Sequence, residues 1–145
     1  MTIEETIYNE VKNRCELPTN AYGIGAWDHH IKIVYELAKK YASEYGASIE
    51  IVALAALLHD IASVTDVSYT EEHHIIGSQI AEELLLKEKY PEDKIELIKK
   101  CILNHRGSKL AEKTTPEEIC IADSDAMAHF YSIPSLLSMV YREKK

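Results

Sequence analysis

Ala56-Leu57-Leu58-His59-Asp60 is where an apolar helical pattern ends in an imidazole and a carboxylate. Nearly every position from Ile51 onward is apolar. A helix that is apolar almost all round is expected to be buried. The pattern therefore delivers His59 and Asp60 to the protein interior, which is an expensive place for a carboxylate without a partner.

Length and composition narrow the class of protein. The chain has 145 residues, of which 46% are hydrophobic and 28% charged, as expected for a single domain over residues 1–145 with a real core. The net charge of −8 argues against a nucleic-acid polymer or an anionic membrane as partner, since both require clustered lysine and arginine. A small anionic ligand is compatible with this charge, provided that a local metal or a few basic groups offset it.

The cysteines and the absence of targeting patterns indicate the compartment. Cys15, Cys101 and Cys120 are widely spaced and form no CxxC motif, so we expect reduced, buried thiols. The N-terminus lacks the pattern of a secretory signal. No apolar run approaches the roughly 20 residues needed to span a bilayer. These features predict a cytoplasmic protein.

Helical spacing of apolar residues runs through the whole chain and β alternation is absent, which predicts an all-α fold, a compact bundle of about six or seven helices. An exposed face on the terminal helices leaves room for a homodimer. Capping residues, glycines and prolines place the helices at Thr2 to about Arg14, Asp28 to just before Gly46, Ser48 to His59, Thr70 onward, Pro91 to about Asn104, Thr115 to Phe130, and Pro134 to Arg142.

Metal-grade side chains gather at the ends of these helices. Two aspartates, Asp60 and Asp125, interrupt apolar stretches, and the histidines at helix ends are His30, His59, His73, His74 and His105. Mixed imidazole and carboxylate ligands without thiolates suit a catalytic divalent ion, one of Mn, Fe, Ni, Co, Zn or Mg. Because the helix ends at His59, adjacent His59 and Asp60 can share one ion, with further ligands from the helices of His30 and Asp125.

The order of these residues resembles the H…HD…D signature of the HD-domain metal-dependent phosphohydrolase superfamily. Four stretches carry the resemblance in the family's order: WDHHIKIVYELAKKYA (27–42), IVALAALLHDIA (51–62), HHIIGSQIAEELL (73–85) and IADSDAMAHF (121–130). The resemblance covers most of residues 27–130. It implies a helical fold around a central metal site, and hydrolysis of a phosphoester or phosphoanhydride bond in a small substrate, most plausibly a nucleotide.

The resemblance also implies roles for individual residues. The metal ligands carry over to His30, His59, Asp60 and Asp125. One ion or two is left open, with His73 or His74 and His105 as ligands of a second ion or as groups that hold or protonate the substrate phosphate. The residues implied for catalysis are Asp60, His73, His74 and His105. Arg106 and Lys109, which follow at a helix end, are the predicted phosphate-binding cations.

This sequence departs from the family pattern at two places. The basic residue often found after the HD pair is missing, since Ile61, Ala62 and Ser63 stand there, and Ala126 replaces the basic residue that often follows the last aspartate. These departures favour one alternative, a non-catalytic module that binds a nucleotide or signalling molecule. A second alternative, implied by the resemblance because related HD folds can carry that chemistry, is a di-iron oxygenase on the same scaffold.

Overall fold

The structure, a computed structural model, describes residues 1–21, 23, 25–105 and 114–143, with side chains as far as Phe130. No strand occurs in this part of the chain, so the predicted all-α class is confirmed. A π-helical turn, Trp27–Ile31, precedes the second helix, and a 3-10 turn, Val67–Tyr69, precedes the fifth. The α-helices are α1 Ile3–Arg14, α2 Lys32–Tyr45, α3 Ile49–Leu58, α4 Ile61–Thr65, α5 His73–Lys87, α6 Glu92–Leu103 and α7 Pro116–Glu143.

Helix α3 forms the centre of the bundle. Its first turn is capped by Ser48, whose Oγ accepts a hydrogen bond of 3.3 Å from the backbone N–H of Ile51. Every residue from Ile51 to Leu58 is buried, and α3 packs against α1, α2, α6 and α7. Fully burying one leucine contributes about 1.5–3 kcal/mol. The other helices therefore pack around α3, as its apolar sequence predicts.

Several helix ends follow from local sequence. Thr2 and Glu5 form a reciprocal capping box at the start of α1. Gly46 ends α2 with a φ of 71°, in the left-handed region that favours glycine. Thr115 caps α7 by accepting a hydrogen bond of 3.2 Å from the Glu118 N–H. These contacts confirm the predicted start of α1, the predicted end of α2 and the predicted start of α7.

Other boundaries differ from the prediction. Residues 61–69, expected to break the helical pattern, form α4 and the 3-10 turn. Helix α5 begins at His73 and not at Thr70, whose hydroxyl donates instead to the Val67 carbonyl across that turn (2.7 Å). Helix α7 continues through Pro134, where a separate helix was predicted, because proline disfavours the helix interior without forbidding it.

The remaining sequence-based expectations concern thiols and membranes. All three cysteines are buried and unbonded to one another, as expected. In the part of the chain that the structure describes, no helix combines the length and the apolar character required to cross a bilayer.

Candidate metal centre

His59 and Asp60 lie where α3 gives way to α4. His59 keeps a helical backbone (φ −61°, ψ −30°), whereas Asp60 leaves it (φ −115°, ψ 21°). Neighbouring side chains of an uninterrupted helix diverge by about 100°. The break at Asp60 lets both side chains face one point, with His59 Nε2 and Asp60 Oδ2 3.2 Å apart. Both are deeply buried, at 0% and 6% exposure.

His30 and Asp125 complete this group, which we call the mixed cluster (His30, His59, Asp60 and Asp125). His30 Nε2 lies 3.0 Å from Asp125 Oδ1, 3.3 Å from Asp60 Oδ2 and 3.2 Å from His59 Nε2. His30 belongs to the π-helical turn, a geometry that is rare in helices and frequent at functional sites. The predicted ligand set thus converges from three parts of the fold: the π-helical turn, the junction of α3 and α4, and α7.

The tautomer of His59 suits a metal ligand. Its Nδ1 lies 2.5 Å from the carbonyl oxygen of Ala56, one turn earlier in α3. Since a carbonyl only accepts, Nδ1 carries the proton and donates it. The Nε2 atom, which faces the other members of the mixed cluster, is then the nitrogen available to a cation, the arrangement commonly found for ligating histidines.

Opposite charges face one another in the mixed cluster. Burial lowers the pKa of His30 and of His59, but the carboxylates of Asp125 and Asp60 outweigh it, so both pKa values are raised. Burial raises the pKa of Asp60 and of Asp125, but the two imidazoles outweigh it and both pKa values are lowered. The carboxylates thus remain ionised at neutral pH, as ligands of a divalent cation must be.

A second group, the histidine cluster, comprises His73, His74 and His105. Each offers a ring nitrogen, and these atoms all lie within 4.8 Å of one another. His73 and His74 stand in the first turn of α5, and His105 follows the end of α6. One carbonyl, that of Ile102, accepts from His105 Nδ1 (2.7 Å) and from His74 Nδ1 (3.3 Å). This shared acceptor orients two rings of the cluster together.

The charge state of His105 differs from that of His59. Burial, followed by the nearby positive charge of His59, lowers the pKa of His105 to about 4. Its imidazole is therefore neutral at physiological pH, with Nδ1 as donor and Nε2 as acceptor. A neutral imidazole nitrogen is the form that binds a metal.

Asp60 stands between the two clusters. Its Oδ2 faces the Nε2 atoms of His59 and His30, whereas its Oδ1 lies 3.9 Å from His105 Nε2. The rings of His59 and His105 are 5.2 Å apart between centroids. One carboxylate thus presents one oxygen to each cluster, which suits two neighbouring ions as well as one.

The structure brings together all the predicted side chains that it describes. Both His73 and His74 join the histidine cluster, so the choice between them does not arise. Arg106 and Lys109, the predicted phosphate-binding residues, lie outside the described residues. Asp123, two residues before Asp125 on α7, accepts a hydrogen bond of 2.6 Å from the Tyr45 hydroxyl.

His129 is a neighbour of the mixed cluster to which sequence reasoning gave no role at the site. Its Nε2 lies 3.7 Å from Asp125 Oδ1, and its ring centroid is 4.9 Å from that of His30. Its side chain is 67% exposed, so it marks the side on which the mixed cluster reaches solvent. The spacing of four residues between Asp125 and His129 on one helix could have placed it there.

Curated relatives at about 30% identity are chiefly ribonucleases. The chain is 32% identical over 108 residues to Ribonuclease Y from Petrotoga mobilis, an alignment that covers 74% of this chain and 19% of that protein. It is also 31% identical over 86 residues to an uncharacterized protein from Clostridium beijerinckii, covering 56% of this chain and 55% of the relative. The chain thus spans about one fifth of the length of Ribonuclease Y.

The match to a family model extends over both clusters. No solved structure matches the chain. The model of the HD domain matches residues 27–129, a range that begins before His30 and ends after Asp125. Together with the clusters of histidine and aspartate that could hold an ion, this match confirms the predicted family, one of metal-dependent hydrolases. The chain belongs to the HD-domain family.

Proposed function

We propose that the protein is a metal-dependent phosphohydrolase that cleaves a phosphoester or phosphoanhydride bond of a small phosphorylated molecule, a nucleotide in the first instance. The observation that carries this proposal is the position of Asp60, with one carboxylate oxygen toward each cluster. A carboxylate that faces two sets of nitrogen ligands suits a pair of divalent ions, the arrangement many phosphate-hydrolysing enzymes use.

The mixed cluster would hold the first ion through His30, His59, Asp60 and Asp125. The histidine cluster, with the other oxygen of Asp60, would hold a second. The chemistry that divalent ions supply at such ligands is a lower pKa of bound water and polarisation of a phosphoryl oxygen. Oxygen and nitrogen donors without thiolate are compatible with Mn, Fe, Co, Ni, Zn or Mg.

The protein's own side chains would orient the substrate. His59 and Asp60 close the inner side of the centre, since they are almost fully buried. His73 and His74 are half-buried, and His129 is exposed. A substrate would therefore approach between the start of α5 and the middle of α7. With one ion bound, His105 and the two α5 histidines would instead meet the phosphate. Arg106 and Lys109 are proposed to neutralise its charge.

The net charge of −8 supports a small substrate over a polymer. We also propose that the protein is cytoplasmic and acts alone or as a homodimer. The similarity to Ribonuclease Y favours a second candidate, cleavage of the phosphodiester bonds of RNA. Both candidates need the same centre. They differ only in the surface that must accept the remainder of the substrate.

Phosphate and product release distinguish these functions. Protein purified without chelator is first analysed for metals. It is then supplied with Mn, Fe, Co, Ni, Zn or Mg in turn and incubated with nucleoside monophosphates, nucleoside triphosphates, dinucleotides and a short RNA. We expect turnover of at least one mononucleotide and little cleavage of the RNA. Cleavage of the RNA alone would favour the second candidate. Nucleotide binding without turnover would indicate the non-catalytic module, and an iron pair that consumes oxygen would indicate an oxygenase.

A further inference from the structure

Glu118, in the first turn of α7, is a fully buried acid outside both clusters. Its Oε2 accepts a hydrogen bond of 2.8 Å from Asn104 Nδ2. Its Oε1 accepts from the hydroxyls of Thr115 (2.9 Å) and Thr114 (3.3 Å). A carboxylate is costly to bury unless both oxygens are hydrogen-bonded, and here both are. The two oxygens connect the end of α6 with the start of α7.

Capping of α7 explains only part of this arrangement. An acid in the first turn of a helix is favoured by the helix dipole, and Glu118 also donates its N–H to the Thr115 hydroxyl. Glu117, the preceding residue, satisfies the dipole equally well. Its Oε2 accepts from the backbone N–H of Ser48 at the start of α3 (3.0 Å). The contact with Asn104 is not needed for capping.

Asn104 determines how the chain leaves α6. Its own N–H donates to the Lys100 carbonyl (3.0 Å), but its backbone (φ −112°, ψ 19°) is no longer helical. The next residue is His105, whose backbone therefore lies beyond the helix. The direction in which His105 departs is set at Asn104, and the Asn104 side chain is held by Glu118.

We propose that Glu118 is a positioning residue that, through Asn104, holds His105 in the histidine cluster and thereby sets the affinity for the second ion. This inference rests on the proposed two-ion centre. It assigns no contact with substrate or metal to Glu118. The mixed cluster does not depend on Asn104, because its members belong to the π-helical turn, α7 and the junction of α3 and α4.

The test compares the stepwise binding of Mn²⁺ to the full chain and to four variants. Calorimetry and electron paramagnetic resonance measure the binding. Glu118→Ala and Asn104→Ala should each weaken the second ion by about 10-fold or more, the usual effect of removing an outer partner of a ligand, and leave the first ion unchanged. The double variant should lose no more than either single variant, since both break one contact. Glu118→Gln, whose amide can still accept from Asn104, should recover part of the loss.

Glu117→Ala is the matched control. It removes a buried acid from the same turn of α7, but its contact is with Ser48 at the start of α3, about 16 Å along that helix from His59. It should leave the ratio of the two Mn²⁺ affinities unchanged. Equal weakening of both ions in Glu118→Gln, or an unchanged second ion in both Glu118 variants, would overturn the proposal.

A metal-free measurement separates this inference from the proposed function. In chain labelled with ¹⁵N-histidine, the ring signals of His105 should shift in Glu118→Ala, which removes the contact with Asn104, whereas those of His59 should not. If the wild-type chain takes up only one Mn²⁺, the two-ion centre is wrong, and the His105 signals alone decide the positioning role. Unshifted His105 signals would refute it.

Discussion

The mixed cluster, through its member Asp60, faces the histidine cluster, but the two differ in their ligand types and in the segments that supply them. The mixed cluster combines two imidazoles and two carboxylates from three segments of the chain, with imidazole nitrogens 3.0–3.5 Å from carboxylate oxygens. The histidine cluster takes three imidazoles from the ends of α5 and α6. Carboxylates neutralise a cation and imidazoles alone do not, so we expect the mixed cluster to bind an ion more tightly.

The largest effect is expected where the clusters meet. Asp60→Ala removes a negative ligand from both, so metal content should fall to background and kcat/KM should drop by at least about 1,000-fold, equivalent to about 4 kcal/mol. Metal analysis and phosphate release measure this. Asp123→Asn, which changes an aspartate of α7 bonded to Tyr45, should retain both. Full metal content and activity in Asp60→Ala would show that the proposed centre is wrong.

Removing a member of the histidine cluster should separate the two sites. His105→Ala is expected to reduce the metal content from two ions per chain to one, with a loss of about 100-fold in activity, because the mixed cluster keeps every ligand. The exposed His29 provides the control, since His29→Ala should retain two ions. Loss of the first ion in His105→Ala would show that the clusters are one indivisible site.

Packing between α5 and its neighbours offers a less direct way to break the same cluster. A Cβ at Gly77 would lie 3.4 Å from Ile102 Cγ2 and 3.8 Å from Ala62 Cβ, so Gly77→Ala should be tolerated. Gly77→Leu should push α5 from α4 and α6, lowering the free energy of unfolding by about 1–3 kcal/mol and weakening the second ion before the first. Thermal unfolding and Mn²⁺ titration test this. The idea fails if the first ion is the more sensitive.

Proton release provides the smallest but most specific contrast. Raised pKa values leave His30 and His59 protonated at higher pH than an ordinary histidine, so an ion entering the mixed cluster must displace protons. First-ion affinity should therefore rise with pH through neutrality. His105, with its pKa lowered to about 4, has no proton to release on Nε2 at pH 7. Calorimetry in buffers of different ionisation enthalpy should detect proton release when the first ion binds. If the measured binding enthalpy of the first ion were the same in every buffer, the charges assigned to His30 and His59 would be wrong.

Much of the fold could be predicted because its signals are local. The apolar run from Ile51 to Leu58 predicted a buried helix, and Gly46 and the Thr2–Glu5 pair predicted helix ends. The start of α5 was misplaced because the Thr70 hydroxyl has a competing local acceptor, the Val67 carbonyl. The continuation of α7 past Pro134 was missed because proline is common in the first turn of a helix and uncommon in its interior. A proline in the sequence therefore predicts a new helix even where an existing helix continues through it.

The candidate site was predictable in membership but not in arrangement. His30, His59, Asp60 and Asp125 were identified by residue type and order, and their role as ligands stays a prediction until an ion is measured. The inclusion of both His73 and His74 depends on how α5 lies against α6, where the Ile102 carbonyl orients His74 and His105 together. No pattern along the chain encodes that shared acceptor.

Hydrophobic periodicity and chain order are local properties, so they were enough to predict helices around a buried α3 with an imidazole and a carboxylate at its end. The folded chain was needed to show that Asp60 turns one oxygen to each cluster and that Glu118 reaches Asn104 from another helix. These contacts depend on distances between segments remote in sequence, which packing of the whole bundle fixes.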